Sequence, residues 1–477
     1  MKTPPIQIRA GDLKPAVAGL GKLIPRKAAL PALQCVKVEA LRRDTLRLTA
    51  SDLSITLALE LPATLEKKVE PFLIPLERLR EMTRQTRADE SLTIGPTVKA
   101  PPVGELPEAA TFRASPIELP ESASNGLLRA FACASHDATR YVLQGAFLDT
   151  SGKGPKAHRI VGTDGRHLFS SNSLHLPQVK SPVILPDHKL WQWKPLAESR
   201  PWTLRIGQEK SGAVPFRIEG PTWSVTGNTI DGNYPNYRQV VPRSEEFKTR
   251  ATVSDAALEA MARLIPRLPG RKLANSPVGI HLEKGHLGLL AREANDEPWV
   301  LHPVDSVQCH GPDLCTFVNR DYLQKAAEFG LGEIALIDAL SPVQLSRQGD
   351  LMIVMPIRAT DPERIERPKS ESAVKLLPKT RKSPAATRSK ATAAPQKKSQ
   401  PTSRPKPQPA PKQSDPIDEV ESRIAEASEA LSSASKQLAS ATGSLKTARH
   451  QRNDDREELT GLRSLFSSIK KFATGSN

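Results

Sequence analysis

The stretch FLIPLERLREM, residues 72–82, has a layout that returns twice further along the chain. It combines a short apolar run typical of a strand, a proline that can start a helix, and leucines at helical spacing. VILPDHKLWQW (183–193) and TFVNRDYLQKA (316–326) repeat this layout, with Pro or Asn at the start of the helix. Each stretch therefore predicts a strand that is followed at once by a helix.

A second motif repeats at nearly the same distance. LTASDLSITL (48–57) and IVGTDGRHLF (160–169) both place Ser or Thr before an Asp inside a strand-rich stretch. The two Asp residues are 112 positions apart, and the prolines of the first two helix starts are 111 positions apart. A period this long predicts tandem whole domains rather than a solenoid of short repeats.

Asp164 and His167, within the second of these stretches, raise the question of catalysis. No nucleophile or oxyanion motif accompanies them, so the sequence predicts no catalytic residue. Asp and Gly are residues that mark turns, and we expect Asp164 to close a turn through its side chain. An enzyme that acts on nucleic acid would need clustered carboxylates or metal ligands, which the sequence does not indicate.

The remaining patterns up to about residue 358 mix strands and helices. Short apolar runs recur between Gly, Pro, Asp and Asn residues, and GIHLEKGHLGLLA (279–291) is typical of two sheet strands. DAALEAMARLI (255–265) has helical spacing, and Ser254 before it is a predicted N-cap. The fold class predicted for this part of the chain is α+β.

Four cysteines and the N-terminus bear on metal binding and localisation. CHGPDLC (309–315) holds two cysteines around a histidine, but it lacks the CxxC spacing and the second ligand pair of a zinc site. We expect loop and strand there, with no metal and no cofactor.

The sequence has no run of 18 apolar residues and no apolar stretch at its start, which predicts a cytoplasmic protein.

The charge of the chain is concentrated towards its C-terminal side. The formal net charge is +16, and residues 362–414 hold 14 Lys and Arg residues against 3 Asp and Glu residues. This stretch is also rich in Pro, Ala, Ser and Thr, so it cannot bury enough apolar surface to offset chain entropy. We predict a disordered basic linker over 360–415, which favours a polyanion as partner.

A single helical frame is predicted beyond the linker, over 416–471. Apolar or small residues recur at alternating spacings of three and four, with one polar interruption at Arg452 and Asp455. This pattern is typical of a coiled coil or a helical hairpin. A lone helix, partly formed in isolation, is the alternative.

Five stretches together resemble one known family. LPALQCVKVEALRRDTLRLTASDL, SHDATRYVLQGAFLD, RIVGTDGRHL, IDGNYPNYRQVVP and SPVQLSRQGDLMIVMPIR are similar, in order and spacing, to the bacterial DNA polymerase III beta subunit, the sliding clamp family. The resemblance covers about residues 1–358. Family members normally end near that point, whereas 119 residues follow Arg358 here.

The resemblance implies three similar clamp domains, with boundaries expected at 1–118, 119–247 and 248–359. It implies a homodimer ring, closed head to tail around double-stranded DNA, that gives processivity to the replicative DNA polymerase without catalysis. Expected partners are DNA, that polymerase, the clamp loader, other replication and repair proteins, and a second copy. The alternative is a clamp-like paralogue or phage-type homologue whose tail recruits a specialised partner.

The resemblance also implies a cleft between the second and third domains where short peptides containing Leu and Phe bind. The matching positions are Leu143, Thr163, Gly165, Arg166, His167, Leu168, Pro235, Val240, Asn319, Tyr322, Leu340, Pro342, Met355, Pro356, Ile357 and Arg358. The chain departs from the family at Gln239, where a basic residue is common, at Ile357, where Met is usual, near Pro277, and in the order Arg166-His167. These departures predict an altered peptide preference.

Basic residues on the predicted helices are candidates for contact with phosphates, which need not read bases. The candidates are Lys14, Lys22, Arg26, Lys27, Arg78, Arg80, Arg84, Arg129, Lys189, Arg263, Arg320 and Lys325, and Tyr141 matches an aromatic residue near DNA in the family. The alternative for each charge is an ordinary solvated helix face.

The C-terminal extension suggests two hypotheses. The basic linker would add phosphate contacts outside the ring. LRSLF (462–466) resembles the peptides that clamps bind, so the tail would occupy a cleft, although Leu462 and Phe466 also fit the heptad seam and core packing is the alternative.

Overall fold

A computed structural model describes residues 6–367, except 26, 29, 66–68, 98–99, 155–156, 180 and 210–213. The chain divides into two units, Met1–Thr380 and Arg381–Asn477, and every described residue lies in the first. The predicted coiled coil (416–471) and residues 368–415 of the predicted linker lie outside the described residues. None of the helices within the described ranges combines the length and the apolar composition that a membrane crossing needs.

The strands and α-helices fall into three groups, which we call the first, second and third repeat. The first repeat, residues 6–94, comprises β1 (Ile6–Arg9), α1 (Ala10–Leu23), β2 (Cys35–Ala40), β3 (Thr45–Ser51), β4 (Ile55–Pro62), β5 (Thr64–Leu65), β6 (Phe72–Pro75), α2 (Leu76–Gln85) and β7 (Ser91–Ile94). The second repeat, residues 117–228, comprises β8 (Ile117–Leu119), α3 (Glu121–Cys133), β9 (Gly145–Asp149), β10 (Arg159–Thr163), β11 (His167–Ser171), β12 (Val183–Pro186), α4 (Lys194–Ala197), β13 (Trp202–Ile206), β14 (Pro215–Glu219) and β15 (Trp223–Asn228).

The third repeat, residues 249–354, has the same order with one additional strand. It comprises β16 (Thr249–Val253), α5 (Asp255–Leu264), β17 (Pro277–Glu283), β18 (His286–Ala291), β19 (Trp299–Val304), β20 (Val307–His310), β21 (Leu314–Asn319), α6 (Arg320–Glu328), β22 (Glu333–Leu336), β23 (Val343–Arg347) and β24 (Asp350–Val354). A short strand, β25 (Ile365–Glu366), follows it.

Sheets run across the boundaries between the repeats. The eight-stranded sheet has the order β6-β2-β3-β4-β15-β14-β13-β8, and the nine-stranded sheet has the order β12-β9-β10-β11-β24-β23-β22-β16-β20. The β4–β15 pair joins the first repeat to the second, and the β11–β24 pair joins the second to the third. The other two sheets are β5-β1-β7 and β21-β17-β18-β19-β25. The predicted α+β class is confirmed for these residues.

The predicted strand-to-helix layout is confirmed at two of its three positions. β6 leads directly into α2, and β21 leads into α6, whose N-cap Asn319 accepts a hydrogen bond from the Asp321 amide. The second stretch differs, because β12 is followed by a 3-10 helix, Lys189–Gln192, rather than by an α-helix. Pro195 explains the difference, since a proline in the interior of a continuing helix removes an amide donor and clashes with the preceding turn.

The first repeat has fewer strands in its second half than the other two. The second half of the second repeat ends in β14 and β15, and that of the third ends in β23 and β24, but the described residues between 95 and 116 contain no strand. Residues 100–114, which we call the strap, cross one face of the eight-stranded sheet instead. Leu106 packs with Leu73, and Arg217 of β14 donates a hydrogen bond to the Ala110 carbonyl at 2.9 Å.

Apolar packing also joins the repeats, in addition to the strands that they share. A side chain at Gly19 of α1 would meet the ring of Trp193, in the second repeat, at 2.7 Å. Glycine therefore permits this close approach between the two repeats. Phe131 of α3 stacks on Trp191 with ring centroids 4.8 Å apart, within the same continuous apolar cluster.

One prediction is wrong at the end of the third repeat. The disordered linker was expected from residue 360, but β25 pairs with β19, with Ile365 opposite Trp299. Ile365 packs with Trp299 and Phe317, and the Trp299 amide donates to the Arg364 carbonyl at 2.8 Å. An apolar side chain and an unpaired strand edge thus order this segment in spite of its polar composition.

Candidate functional site

The turn between β10 and β11 is closed by a single carboxylate. Oδ1 of Asp164 accepts hydrogen bonds from the backbone amides of Arg166, at 2.8 Å, and His167, at 3.0 Å. Gly165 has a φ of +86°, a left-handed conformation that favours glycine. The turn expected from Asp-Gly is therefore confirmed.

The same carboxylate joins the turn to the third repeat. Tyr322 Oη donates a hydrogen bond to Asp164 Oδ2 at 2.7 Å. The Tyr322 ring also stacks on the His167 imidazole, with centroids 4.1 Å apart. Tyr322 lies in the first turn of α6, so the N-cap at Asn319 helps to position it.

His167 connects this pair to a lysine. Its Nδ1 lies 2.8 Å from Asp164 Oδ1, and its Nε2 lies 3.2 Å from Lys325 Nζ. A carboxylate can only accept and an ammonium can only donate, so Nδ1 carries the proton and Nε2 accepts. Lys325 also donates to the carbonyl of Ala132 in α3 at 2.6 Å. The four side chains form one network across the junction.

Burial and hydrogen bonding set the charges in this network. Burial raises the pKa of Asp164, but hydrogen bonds from His167, Arg166 and Tyr322 outweigh it and hold the pKa well below its usual range. Burial lowers the pKa of His167, the nearby Lys325 lowers it further, and Asp164 opposes both. Burial and the bond to Asp164 raise the pKa of Tyr322. At neutral pH the network therefore holds a carboxylate, a neutral imidazole and a protonated phenol.

The segment after β24 lies beside this turn. The Met355 amide donates to the Arg166 carbonyl at 3.0 Å, and the Ile357 amide donates to the Phe317 carbonyl at 2.7 Å. Leu340 is 60% exposed and Met355 is 41% exposed, which is unusual for large apolar side chains. Leu340 also lines a cavity of about 730 Å³. Its other lining residues are His281, Cys315, Phe317, Ala339, Ile357, Arg358, Ala359, Pro362, Glu363 and Ile365.

The remaining predicted cleft residues differ in exposure. Leu168 is buried in a cluster with Tyr237 and Ile353, so the segment around Tyr237 packs on β11 and β24. Pro235 and Val240, which flank Tyr237 in sequence, are exposed. Among the other predicted cleft residues, Leu143 and Thr163 are buried, and Pro342 and Pro356 are half-buried.

Sequence reasoning missed Asp149, the residue that holds the segment around Tyr237 in place. Asp149, at the end of β9, accepts hydrogen bonds from Tyr237 Oη and from Arg238, both at 2.8 Å. Burial raises the pKa of Asp149, but hydrogen bonds from Ser151 and Tyr237 bring it below the usual value. The Asp that ends the apolar run GAFLD was the available signal.

The junction between the first and second repeats has the same plan. Asp52, in the turn between β3 and β4, accepts from the amides of Ser54 and Ile55 at 3.0 and 2.8 Å. Its other oxygen lies 3.5 Å from His188 Nε2, just after β12. The contact between Asp52 and His188 thus spans this junction as the contact between Asp164 and Tyr322 spans the other.

The candidate basic residues fall into two sets. Those that are exposed are Lys22, Lys27, Arg78, Arg84, Lys189 and Arg263, and Tyr141 is also exposed. Lys14, Arg80, Arg129 and Lys325 are half-buried. Arg129 forms an ion pair with Asp350 at the start of β24, and Arg80 pairs with Glu77 at 3.2 Å. Arg26 lies outside the described residues.

The assignment of Arg320 to a DNA-facing surface is wrong. Its side chain is 1% exposed and donates hydrogen bonds to the carbonyls of Leu268 and Pro269. These acceptors lie after α5, so Arg320 joins the start of α6 to that loop. A basic residue in the first turn of a helix can satisfy carbonyls of a neighbouring loop instead of facing solvent.

Metal ligation has no candidate cluster among the described residues. No group of three or more His, Cys, Asp or Glu side chains there could hold a metal ion. Cys309 lies in β20 and Cys315 in β21, as the loop-and-strand prediction expected.

Comparison with known proteins points to one kind of relative. No protein-family model matches the chain. A beta sliding clamp of Haemophilus influenzae is 26% identical over 376 residues, which are 73% of this chain and 98% of that protein. A beta sliding clamp of Synechococcus elongatus is 26% identical over 385 residues, with the same two coverages.

Solved structures agree in fold. A Caulobacter crescentus beta sliding clamp superposes with a TM-score of 0.60 at 22% identity, covering 75% of this chain and all of that one. A Pseudomonas aeruginosa sliding clamp bound to griselimycin gives 0.59 at 22% identity, covering 74% and 100%. A Bacillus subtilis sliding clamp gives 0.61 at 18% identity, covering 75% and 100%. The described residues therefore have the clamp fold.

Proposed function

We propose that the chain is a member of the bacterial beta sliding clamp family and, on this premise, that it encloses duplex DNA as a ring and gives processivity to the replicative DNA polymerase. The role is non-catalytic, like that of the sliding clamps. Topological enclosure holds such a protein on DNA, while loose electrostatic contacts leave it free to slide.

The observation that carries this proposal is the continuity of the sheets across both junctions. β4 pairs with β15 over five positions, and β11 pairs with β24 over five positions. A chain of three repeats joined in this way is suited to be a rigid arc. Two arcs related head to tail close into a ring when their rotation completes it. We propose domains at 1–118 and 119–247, a third domain that begins at 248 and extends beyond the expected end at 359 to include β25, and a ring of two copies.

We propose the junction of the second and third repeats as the peptide-binding cleft. Leu340 and Met355 supply exposed apolar surface, and the Asp164, His167 and Tyr322 network fixes the turn beside them. Apolar side chains of this kind provide affinity for an extended peptide, and nearby polar groups fix its register. Methionine adapts to varied ligands. The proposed ligands are peptides of the polymerase, the clamp loader and other replication and repair proteins.

We propose that duplex DNA faces the exposed basic residues on the helices. Arg78 and Arg84 on α2, Lys189, and Arg263 on α5 are solvent-accessible cations. Contacts between such cations and phosphates carry no sequence information and weaken as salt rises. Arg129 and Lys325 are weaker candidates, because protein acceptors already engage both.

Retention on closed circular DNA tests the proposal. The chain is loaded onto nicked circular duplex DNA with a bacterial clamp loader and ATP, and high salt is then applied. We expect it to stay on the circle and to leave after one restriction cut, and blocks at both ends of the cut DNA should restore retention. Equal loss from circular and linear DNA would refute enclosure.

The alternative of a specialised paralogue gains no support from the comparisons, since the relatives found are named beta sliding clamp. The C-terminal extension does not alter the proposal, because the resemblance ends before it.

A further inference from the structure

The cavity beside Leu340 has a wall that the three repeats do not supply. Its volume is about 730 Å³, and most of its lining comes from the third repeat and from the segment that follows β24. The other lining residues come after the stretch that resembles the sliding clamp family, about 1–358. They are Ala359, Pro362, Glu363 and Ile365, which we call the extension wall.

Contacts with the third repeat hold the extension wall in place. The Trp299 indole donates a hydrogen bond to the Thr360 carbonyl at 3.2 Å, and Arg364 donates to the Asp296 carbonyl at 2.8 Å. Ile365 lies opposite Trp299 in the β19–β25 pair and packs against its ring. The wall is therefore formed without a ligand, and a ligand that enters the cavity does not have to order it.

The cavity shares residues with the proposed peptide-binding cleft. Leu340, Ile357 and Arg358 are predicted cleft residues, and all three line the cavity. The segment after β24 connects the two places, because the Met355 amide donates to the Arg166 carbonyl and the Ile357 amide donates to a carbonyl of β21. An extended peptide that lies in the cleft can therefore continue into the cavity.

The lining favours a large apolar side chain. Phe317 is buried, and Ile357 and Ile365 pack against it in one cluster. An aromatic or aliphatic side chain would leave water on these residues without leaving a polar group unpaired. Arg358 and Glu363 are exposed, and within the described ranges neither side chain makes a hydrogen bond or an ion pair. Both stay available to polar groups of the peptide backbone.

From these contacts we propose that the extension wall adds a further pocket to the cleft, and that this pocket takes a large apolar side chain of the bound peptide from outside its Leu- and Phe-containing core. The inference rests on the proposed function, since it needs a partner's peptide in the cleft. Residues 359–365 would then select among partners, because a peptide with an apolar residue beside the core would bind more tightly than one without it.

The test uses the full-length chain and two labelled peptides with the same Leu- and Phe-containing core. Both are extended by Gly-Ser at each end, and the residue after each Gly-Ser is Trp in one peptide and Ala in the other. Ala339→Trp fills the cavity from an exposed position, and Pro362→Arg places a cation on the extension wall. Ala88→Trp, at an exposed position in the first repeat, is the matched control. Fluorescence anisotropy gives the ratio of the two affinities for each protein.

For the wild type and for Ala88→Trp, we expect the Trp peptide to bind about tenfold more tightly than the Ala peptide. The ratio should fall to within about twofold of one in Ala339→Trp and in Pro362→Arg, while the Ala peptide keeps its affinity. Because the ratio is taken within one protein, a partly unfolded sample lowers both affinities alike. If one variant fails to fold, the other decides.

A wild-type ratio near one overturns the proposal, whether the cavity takes no side chain or residues beyond 367 of the same chain fill it. A ratio that stays near tenfold in either folded variant also overturns it, because the Trp would then bind elsewhere. If the wild type does not bind the Ala peptide, the proposed cleft is refuted and the pocket with it. DNA retention is measured separately, so a negative result for the pocket leaves the proposed ring standing.

Discussion

Tyr322 and Asp164 join the third repeat to the second through a hydrogen bond of 2.7 Å. The carboxylate serves two purposes, since one oxygen closes the β10–β11 turn and the other accepts from the phenol. The side chains that hold the junction together are therefore the same ones that shape the wall of the proposed cleft.

Removing the phenol hydroxyl should weaken this junction. Tyr322→Phe leaves the ring stacked on His167 but deprives a charged acceptor of a donor, so we expect a loss of about 1.5 kcal/mol in the free energy of unfolding. Urea unfolding measures the change. Tyr141→Phe, at an exposed ring, is the control and should stay within about 0.5 kcal/mol of wild type.

Acid should destabilise the protein in part through His167. Burial lowers the pKa of His167, so the unfolded chain takes up the proton more readily than the folded one. Stability from this group is fully present above the ordinary histidine pKa and is lost as the pH falls through that value towards the folded pKa. The lowered pKa of Asp164 acts in the same direction at lower pH.

We therefore expect the unfolding free energy of the wild type to fall more steeply between pH 7.5 and 5.5 than that of His167→Gln. His286→Gln, at an exposed imidazole, should keep the wild-type slope. Parallel slopes for His167→Gln and wild type would contradict the proposed neutral state of His167.

Peptide binding should depend on the exposed apolar residues of the cleft. Leu340→Ala should weaken binding of a Leu- and Phe-containing clamp-binding peptide about tenfold, or roughly 1.4 kcal/mol. Fluorescence anisotropy with a labelled peptide measures this. Leu53 is equally exposed, at 60%, in the β3–β4 turn, so Leu53→Ala is the matched control and should leave affinity unchanged.

Contact with DNA should depend on the basic face of α2. Arg78→Ala with Arg84→Ala should lower the salt slope of DNA affinity by about two, because each lost phosphate contact contributes about 0.9. Arg42→Ala with Arg43→Ala removes the same charge from an exposed turn on the strands. An equal change in salt slope for the two double substitutions would mean that DNA affinity depends on net charge alone and not on the basic face of α2.

The basic residues that follow β25 should add electrostatic affinity for DNA. Residues 368–414 hold 12 Lys and Arg residues against one Glu. A chain ending at residue 367 keeps β25 and loses these cations, so we expect weaker DNA binding with a flatter salt dependence. Gel-shift titrations at several salt concentrations compare it with the full chain, and identical slopes would exclude the tail from DNA contact.

Local signals in the sequence predicted the parts of the structure that short segments determine. Asp-Gly predicted the turn at Asp164, and Ser254 before an apolar helical pattern predicted an N-cap, which accepts from the Ala257 amide at 3.3 Å. The repeated strand-to-helix layout predicted three related groups of elements. Turns and caps depend on a few neighbouring residues, which is why the sequence alone indicates them.

What the sequence did not predict depends on distant partners. Arg320 has the pattern of an exposed helical cation, but carbonyls some 50 residues earlier accept its hydrogen bonds. Residues 360–367 have the composition of a linker, and only the open edge of β19 makes Ile365 a strand residue. The contact between Tyr322 and Asp164 spans 158 positions, so no local pattern could indicate it.

The shared sheets also determine where the chain resists bending. A hinge at either internal boundary would break a ladder of backbone hydrogen bonds together with the carboxylate contact at its end. Bending there is therefore costly, so a force applied to one repeat is passed to the next through the paired strands.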